Sequence, residues 1–173
     1  MLLFLHPQFL KGVDQMASLS VRVVSKEFDT IVYGVYSKSN DKQTHKDIPI
    51  ASKKYYKIIN KKEKEVFPYF VLSKNYDQNT RNFDLFVGNI DKYEGLEKII
   101  IPKGLYGVIT IKPKLGFMWG LSIGEAKKNF YKKWLPKTNY EAINLEFEYH
   151  KIHSIGKNPN IDIYFGITKP ANL

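Results

Sequence analysis

Two rhythms of apolar and polar positions run along the chain. Ser20 to Val35 is rich in β-branched residues, in VRVV and TIVYGVY, and predicts a strand. The polar stretch Ser37 to Asp47 predicts a loop. From Ile48 to Lys62 the apolar residues Ile48, Ala51, Tyr55 and Ile58 or Ile59 recur near a 3.6-residue period, which predicts a helix. Val66 to Leu72 and Phe83 to Ile90 predict two strands joined by the turn-rich KNYDQNTRN. The order then returns. Leu105 to Ile111 predicts a strand, and Pro113 to Leu121 a connection carrying Phe117, Met118 and Trp119. Ser122 with Glu125 suggests a capping box. The helix behind it would bury Ile123, Ala126, Phe130 and Trp134 on one stripe, turn Lys128 and Lys132 to water, and stop at Pro136. Leu145 to Ser154 and Ile161 to Thr168 predict the last two strands.

The second half repeats the first in its residues as well as its order. Tyr33-Gly34-Val35 matches Tyr106-Gly107-Val108, and Tyr55-Tyr56-Lys57 matches Phe130-Tyr131-Lys132. Phe67-Pro68-Tyr69 matches Phe147-Glu148-Tyr149. FDLFVG from Phe83 matches IDIYFG from Ile161. The offsets are 73, 75, 80 and 78 residues. Each half, about 20–97 and 98–168, is then strand–helix–strand–strand. Such a half has a sheet face in need of cover and too little core of its own. Two halves side by side share a core and leave a seam, where ligand pockets form. Residues 1–19 read as an N-terminal extension, 20–168 as a single domain and 169–173 as a tail.

Composition narrows the chemistry. The 173 residues include no cysteine, which excludes disulfide scaffolds, thiol nucleophiles and thiolate metal sites. Four histidines offer little for a metal cluster, and no metal or cofactor is expected. The net charge is +10, but Arg22 and Arg81 are the only arginines among 27 basic residues. Sequence-specific nucleic-acid readers lean on the arginine fork, so no such partner is expected. The lysines of both predicted helices, Lys53 to Lys64 and Lys127 to Lys137, read as solvated faces. MLLFLHPQFL is too short and too interrupted for a membrane span or signal peptide. The expected location is cytoplasmic.

The repeat permits a subtraction. Residues that serve the shape recur in both halves; a residue present in one half needs another reason. Glu148 is such a residue, because Pro68 holds its matched position. Strand alternation puts Glu146, Glu148, His150 and Ile152 on one face, with Phe147 and Tyr149 turned to the other, into the helix-facing core. A buried carboxylate without a partner costs several kcal/mol. Tyr33, Tyr106, Trp119 and Tyr164 lie on or beside the strands expected at the seam, among twelve tyrosines, eleven phenylalanines and two tryptophans. Rings around one carboxylate describe a receptacle for an organic cation, each ring contributing about 0.5–2 kcal/mol. An enzymatic alternative makes Glu148 a general base beside Tyr164 or His150. Glu148 and His150 stand about 6.5–7 Å apart along a strand, so proton exchange between them would need a bridging water.

The stretch IGEAKKNFYKKWLPKTNYEAINLEFEYH, continuing to IDIYFGI, resembles the GyrI-like small-molecule-binding domain, the effector-binding part of some bacterial transcription regulators. Trp134-Leu135-Pro136, Tyr140, Phe147-Glu148 and Asp162-Ile163-Tyr164 stand in that family's order, and Ile101 to Tyr106 looks like its lead-in to the fifth strand. The resemblance implies an α+β fold: two pseudo-symmetric strand–helix–strand–strand modules forming an antiparallel sheet, with helices on one side and a central cleft. It implies a ligand site for hydrophobic, often cationic compounds, with Glu148 as counter-charge and Tyr164 beside it. His150 stands where the family often has a ring; a charged imidazole would disfavour a cation. Some relatives modulate DNA gyrase, and some are reported as hydrolases of strained electrophiles. The reading is thus a sensor or sequestering protein for a small organic ligand, with a hydrolase using Glu148 and Tyr164, or a protein-binding modulator, as alternatives.

Overall fold

Eight strands and two helices follow one another in the computed structural model, which describes residues 19–115 and 118–170. They are β1 (Arg22–Lys26), β2 (Thr30–Asn40), α1 (Thr44–Ile59), β3 (Tyr69–Lys74), β4 (Asn82–Asn89), β5 (Glu97–Ile101), β6 (Gly104–Ile111), α2 (Trp119–Asn129), β7 (Glu141–His150) and β8 (Ile161–Thr168). Most of the expected N-terminal extension, Phe117 and the end of the tail lie outside the described residues. All strands join one antiparallel sheet in the order β1-β6-β8-β7-β3-β4-β2-β5. The run β6-β8-β7 is answered by β3-β4-β2, so β2-α1-β3-β4 and β6-α2-β7-β8 are two like modules meeting at β7 and β3.

The connections force this sheet to curl. In sheet order β1 and β2 lie six strand spacings apart, about 29 Å if the sheet were flat. The linker Glu27–Asp29 reaches at most about 14 Å. The two ends must therefore converge, and they meet at one corner. There Lys26 Nζ donates to Thr30 Oγ1 at 2.8 Å and the Lys103 backbone N–H donates to Asp29 Oδ1 at 2.7 Å. The tightest approach between strands lies in module one. A Cβ on Gly34 would stand 1.9 Å from the Val87 carbonyl oxygen, and one on Gly88 2.1 Å from that of Tyr33. Only glycine fits at this paired position.

Three cores result. Val32, Phe70, Leu72, Phe86, Tyr106, Val108 and Phe147 fill the inside of the curl. On the outer face α1 lays Ala51, Tyr55 and Ile59 against Val35, Val71, Leu85 and Val87. On the same face α2 lays Ala126, and the turn that follows it Phe130, against Ile109, Ile163, Phe165 and Ile167. Phe130 stacks on Phe165, with centroids 4.0 Å apart and planes 8° apart. The stripe read for the second helix is thus the one used, with Ile123 and Trp134 at its flanks.

Several elements depart from the expectation. Ser20 to Val35 breaks at Glu27–Asp29 into two strands that serve opposite ends of the sheet. β2 runs on to Asn40, and α1 starts at Thr44. The cause is local: Asn40 Oδ1 accepts the N–H groups of Lys42 and Gln43, and the Thr44 hydroxyl donates to the Asn40 carbonyl. Asn60, left-handed at φ 52°, ends the helix early. Ser122 does not cap α2. It lies inside the helix, where its hydroxyl accepts the Lys114 N–H at 3.2 Å. β5 was not expected at all. β7 ends at His150, so Ile152 sits in a 3-10 turn, 55% exposed, and not on the glutamate face.

Candidate functional site

The central strands β3 and β7 lie in the gap between the two helices. Their register pairs Tyr69 with His150, Val71 with Glu148 and Ser73 with Glu146. Glu148 also pairs with Ile163 of β8. Val71 belongs to the α1 core and Ile163 to the α2 core, so the glutamate face is the helix-facing one. This reverses the sequence expectation. Phe147 and Tyr149 point into the curl, while Glu146, Glu148 and His150 form the floor of the cleft.

Each ionisable group on that floor has a partner. Glu148 is buried, at 9% exposure, and its Oε2 lies 3.0 Å from His150 Nε2. No bridging water is needed between them, because the glutamate stem leans along the strand and covers the spacing of their Cβ atoms. Glu146 is held from α2 by two residues one helical turn apart. Lys127 Nζ pairs with its Oε1, and the Tyr131 hydroxyl donates to its Oε2 at 2.9 Å. Tyr131 lies in a π turn, Phe130–Trp134, that continues α2. Burial, then the Glu146 charge, pushes the Tyr131 hydroxyl well above the ordinary phenol range. Burial works against the Lys127 charge, but Glu146, Glu148 and Asp41 outweigh it, and its pKa stands above the usual lysine value. Lys127 is therefore no part of a solvated lysine face. Lys128, Lys132, Lys133 and Lys137 are the exposed ones.

The part of the module-one wall that faces His150 is neutral. Tyr69 donates its hydroxyl to Ser52 Oγ at 2.8 Å, and burial holds it well above its ordinary pKa. Tyr56 stacks on Tyr69 at 5.7 Å and is pushed up to about 12, chiefly by burial. The rings of Tyr69 and Trp119 approach His150 edge-on, at 6.2 Å and 6.5 Å.

The open volume lies at one end of this gap. A cavity of about 640 Å³ is lined by Asp41, Tyr76 and Phe83 on one side and by Lys127, Tyr131 and Glu146 on the other. Its rim is tied across the modules. β7 bulges between Ala142 and Glu146, and Asn144, at φ 56°, accepts the Tyr76 N–H at 2.8 Å and donates to the Tyr76 carbonyl at 3.1 Å. Tyr76 in turn donates its hydroxyl to Asp41 at 2.9 Å. Behind the cavity a recess of about 10 Å³ reaches Glu148, sharing Ser73, Lys127 and Glu146 with it. That is room for about one water.

The structure brings together three of the six residues singled out from sequence: Glu148, His150 and Trp119. Tyr106 and Tyr164 lie on the inner face. The Tyr106 hydroxyl donates to the Pro102 carbonyl at 2.7 Å, and Tyr164 stacks on Phe147 at 4.6 Å. With Tyr164 behind the sheet, no Glu148–Tyr164 acid–base pair is assembled. Tyr33 alternates onto the face opposite to Tyr106, so the Tyr-Gly-Val match between the halves is not a residue-for-residue equivalence. Sequence reasoning missed Lys127, Tyr131, Tyr76, Asp41 and Asn144. Lys127 and Tyr131 follow Ile123 at four-residue steps, a signal hidden in a lysine run. Among the described residues no three His, Asp or Glu side chains converge as a metal site requires, and no helix is long and apolar enough to cross a membrane.

Comparison with known proteins places this geometry. No curated protein matches the sequence. Among solved structures, an integron cassette protein from the mobile metagenome of Vibrio cholerae aligns with a TM-score of 0.59 at 12% identity, over 86% of this chain and 95% of that one. A putative bacterial transcription regulation protein from Staphylococcus aureus MU50 aligns at 0.58 and 10% identity, over 87% and 99%. SAV2435 bound to tetraphenylphosphonium aligns at 0.58 and 10% identity, over 87% and 94%. These likenesses establish the shared fold, in keeping with the GyrI-like resemblance. The family model described as Cass2, integron-associated effector binding protein, matches residues 23–167. With most of its length matched, the chain belongs to the Cass2 family of integron-associated effector binding proteins.

Proposed function

We propose that the chain binds a hydrophobic, cationic small molecule in the cleft between α1 and α2, against a glutamate counter-charge, as a sensor or sequestering protein. The observation that carries this reading is the cavity of about 640 Å³ with Tyr76, Phe83 and Tyr131 on its walls and Glu146 at its floor. Drug-sized ligands occupy pockets of roughly 300–1,000 Å³. Rings supply cation–π attraction, and carboxylates act more strongly where water is excluded. A protein of the same fold bound to tetraphenylphosphonium, a bulky aromatic cation, supports the ligand class.

In this reading Glu146 meets the ligand first. Glu148, His150 and Trp119 form the deeper end, reached when the small recess widens. Tyr106 and Tyr164 contribute from behind, by fixing Phe147 under the floor. The binding unit is the single domain 20–168, and its setting is the cytoplasm.

Titration of the full chain with tetraphenylphosphonium, tetraphenylborate and triphenylphosphine oxide tests the reading. The expected result is saturable binding of tetraphenylphosphonium, lost in Ser73→Trp with the circular dichroism spectrum retained. Ser73 borders both cavity and recess, so the indole fills them. No saturable binding of tetraphenylphosphonium, or undiminished binding in Ser73→Trp, overturns it.

A further inference from the structure

The cleft already holds a cation of its own. Lys127 is the basic side chain that borders both the cavity and the recess. It leaves the lysine-bearing outer surface of α2 and crosses to β7, where it takes one oxygen of Glu146 while Tyr131 takes the other. Both oxygens of the Glu146 carboxylate, which lines the open volume, are thus engaged. Three carboxylates act on the Lys127 ammonium: Glu146, Glu148 and Asp41. These are the groups a ligand cation would seek, and together they keep the lysine charged. The side chain is part-exposed by area, at 36%. A lysine suits this position better than an arginine. Its charge is a point on a flexible four-carbon stem, whereas a guanidinium fork would hold the carboxylate at two points.

We propose that Lys127 is a tethered competitor of the ligand's positive charge: its ammonium occupies the cation position against Glu146, and it sets how strongly the cleft distinguishes cations from anions of the same shape. This rests on the ligand-binding reading above and adds the residue that tunes its charge selectivity. A ligand cation gains Glu146 only by displacing the lysine. An anion of equal size keeps the lysine in place and gains its attraction.

Tetraphenylphosphonium and tetraphenylborate, ions of near-identical shape and opposite charge, provide the test. Both are titrated into the full chain and into Lys127→Met, which keeps the stem length and the helix propensity. The quantity read is the ratio of the two dissociation constants. The expected result is a shift of that ratio towards the cation by about tenfold or more in Lys127→Met. If Lys127→Met fails to fold, Lys127→Gln reads the same ratio. Binding retained with a ratio within about twofold of the parent's overturns the inference and leaves the ligand-binding reading standing. Failure of parent and variant alike to bind these ions and triphenylphosphine oxide overturns both.

Discussion

β3 and β7 hold the same place in their modules and lie side by side at the centre of the sheet, yet they present different chemistry to the cleft. Opposite Tyr69, Val71 and Ser73 stand His150, Glu148 and Glu146. Both strands meet the same structural demand, since each turns its other face into the curl and is flanked by a helix-covered core. β3 shows that neutral residues satisfy that demand. The ionisable set on β7 is therefore surplus to the fold. Burying such groups is unfavourable unless each is partnered, and each of them has a partner here. The lesson is that a duplicated architecture separates residues that make the shape from residues that make the site, once the register is known.

Packing gives the largest expected effect. Phe130 is fully buried between Phe165 and Gly107, where a Cβ on the glycine would stand 2.6 Å from the Phe130 ring. Phe130→Ala should cost about 3–5 kcal/mol in denaturant unfolding, because it removes a fully buried ring from the α2-side core and leaves a cavity there. If the loss is below about 1 kcal/mol, module two is held by its ionic cleft and the comparison fails.

Grafting β3's chemistry onto β7 tests the comparison directly. Glu148→Val with His150→Tyr gives β7 the residues found opposite on β3. The double variant should be as stable as the parent or slightly more stable, by up to about 1 kcal/mol, since replacing both partners of a buried hydrogen bond together leaves neither unsatisfied. His150→Ala alone should cost about 1–3 kcal/mol, because Glu148 keeps its burial and loses its hydrogen-bond partner. Titration with tetraphenylphosphonium should show weaker binding by the double variant. Stability lost in the graft would mean that the charges serve the fold.

Alkaline pH reads both modules at once. Tyr131 and Lys127 in module two, and Tyr55, Tyr56 and Tyr69 in module one, all hold their protons more tightly when folded. A raised pKa adds stability that is complete below the unfolded value near pH 10 and is lost as pH rises through the folded one. The unfolding midpoint should therefore fall above about pH 10. Burial is the first cause for all the tyrosines, so module one keeps its share in any cleft variant. Glu146→Gln removes the charge that offsets the desolvation of Lys127. The midpoint should then fall less steeply with pH in this variant than in the parent.

Much of this was legible in the sequence, and the rest was hidden for definite reasons. The module order, the bounds of β8 and the buried stripe of α2 follow from periodicity, which reports local amphipathicity, while the α+β class came with the family resemblance. The strand β5 escaped because EKIII has no alternation and sits between Gly95 and Pro102. The break at Glu27–Asp29 escaped because it marks a change of neighbours, and nothing local records which strand a segment will pair with. Glu148 was found by subtraction, although the matched position, Pro68, precedes β3 and is not its structural partner. Alternation separated Glu148 from Phe147 correctly but could not say which face the helices would cover. Tyr33 and Tyr106 looked equivalent because a one-residue slip leaves the letters of a repeat aligned while exchanging the faces.

The smallest effect separates the modules by sign. Tyr55 is fully buried, and its hydroxyl is the one buried side-chain polar atom without a hydrogen bond among the described residues. Its ring packs on Tyr56 at 5.6 Å and Tyr69 at 5.8 Å, contacts that phenylalanine keeps. Leaving a buried hydroxyl unpaired costs about 1–3 kcal/mol, part of which the protein recovers when the group is deleted. Tyr55→Phe should thus be neutral or stabilising by up to about 1 kcal/mol, and it should flatten the alkaline loss slightly. Tyr131→Phe has the same atoms removed on the other side of the cleft and the opposite sign. It deletes a donor to Glu146, leaves Lys127 as that carboxylate's one remaining partner, and should destabilise by about 1 kcal/mol. Equal and opposite shifts in paired urea titrations would mean that module one uses its tyrosines as core and module two uses its tyrosine as part of the site. Loss of stability in both would mean that the Tyr55 hydroxyl is held in solution, by the nearby Asn89 backbone or by water, and that the neutral wall of the cleft is a polar network as well.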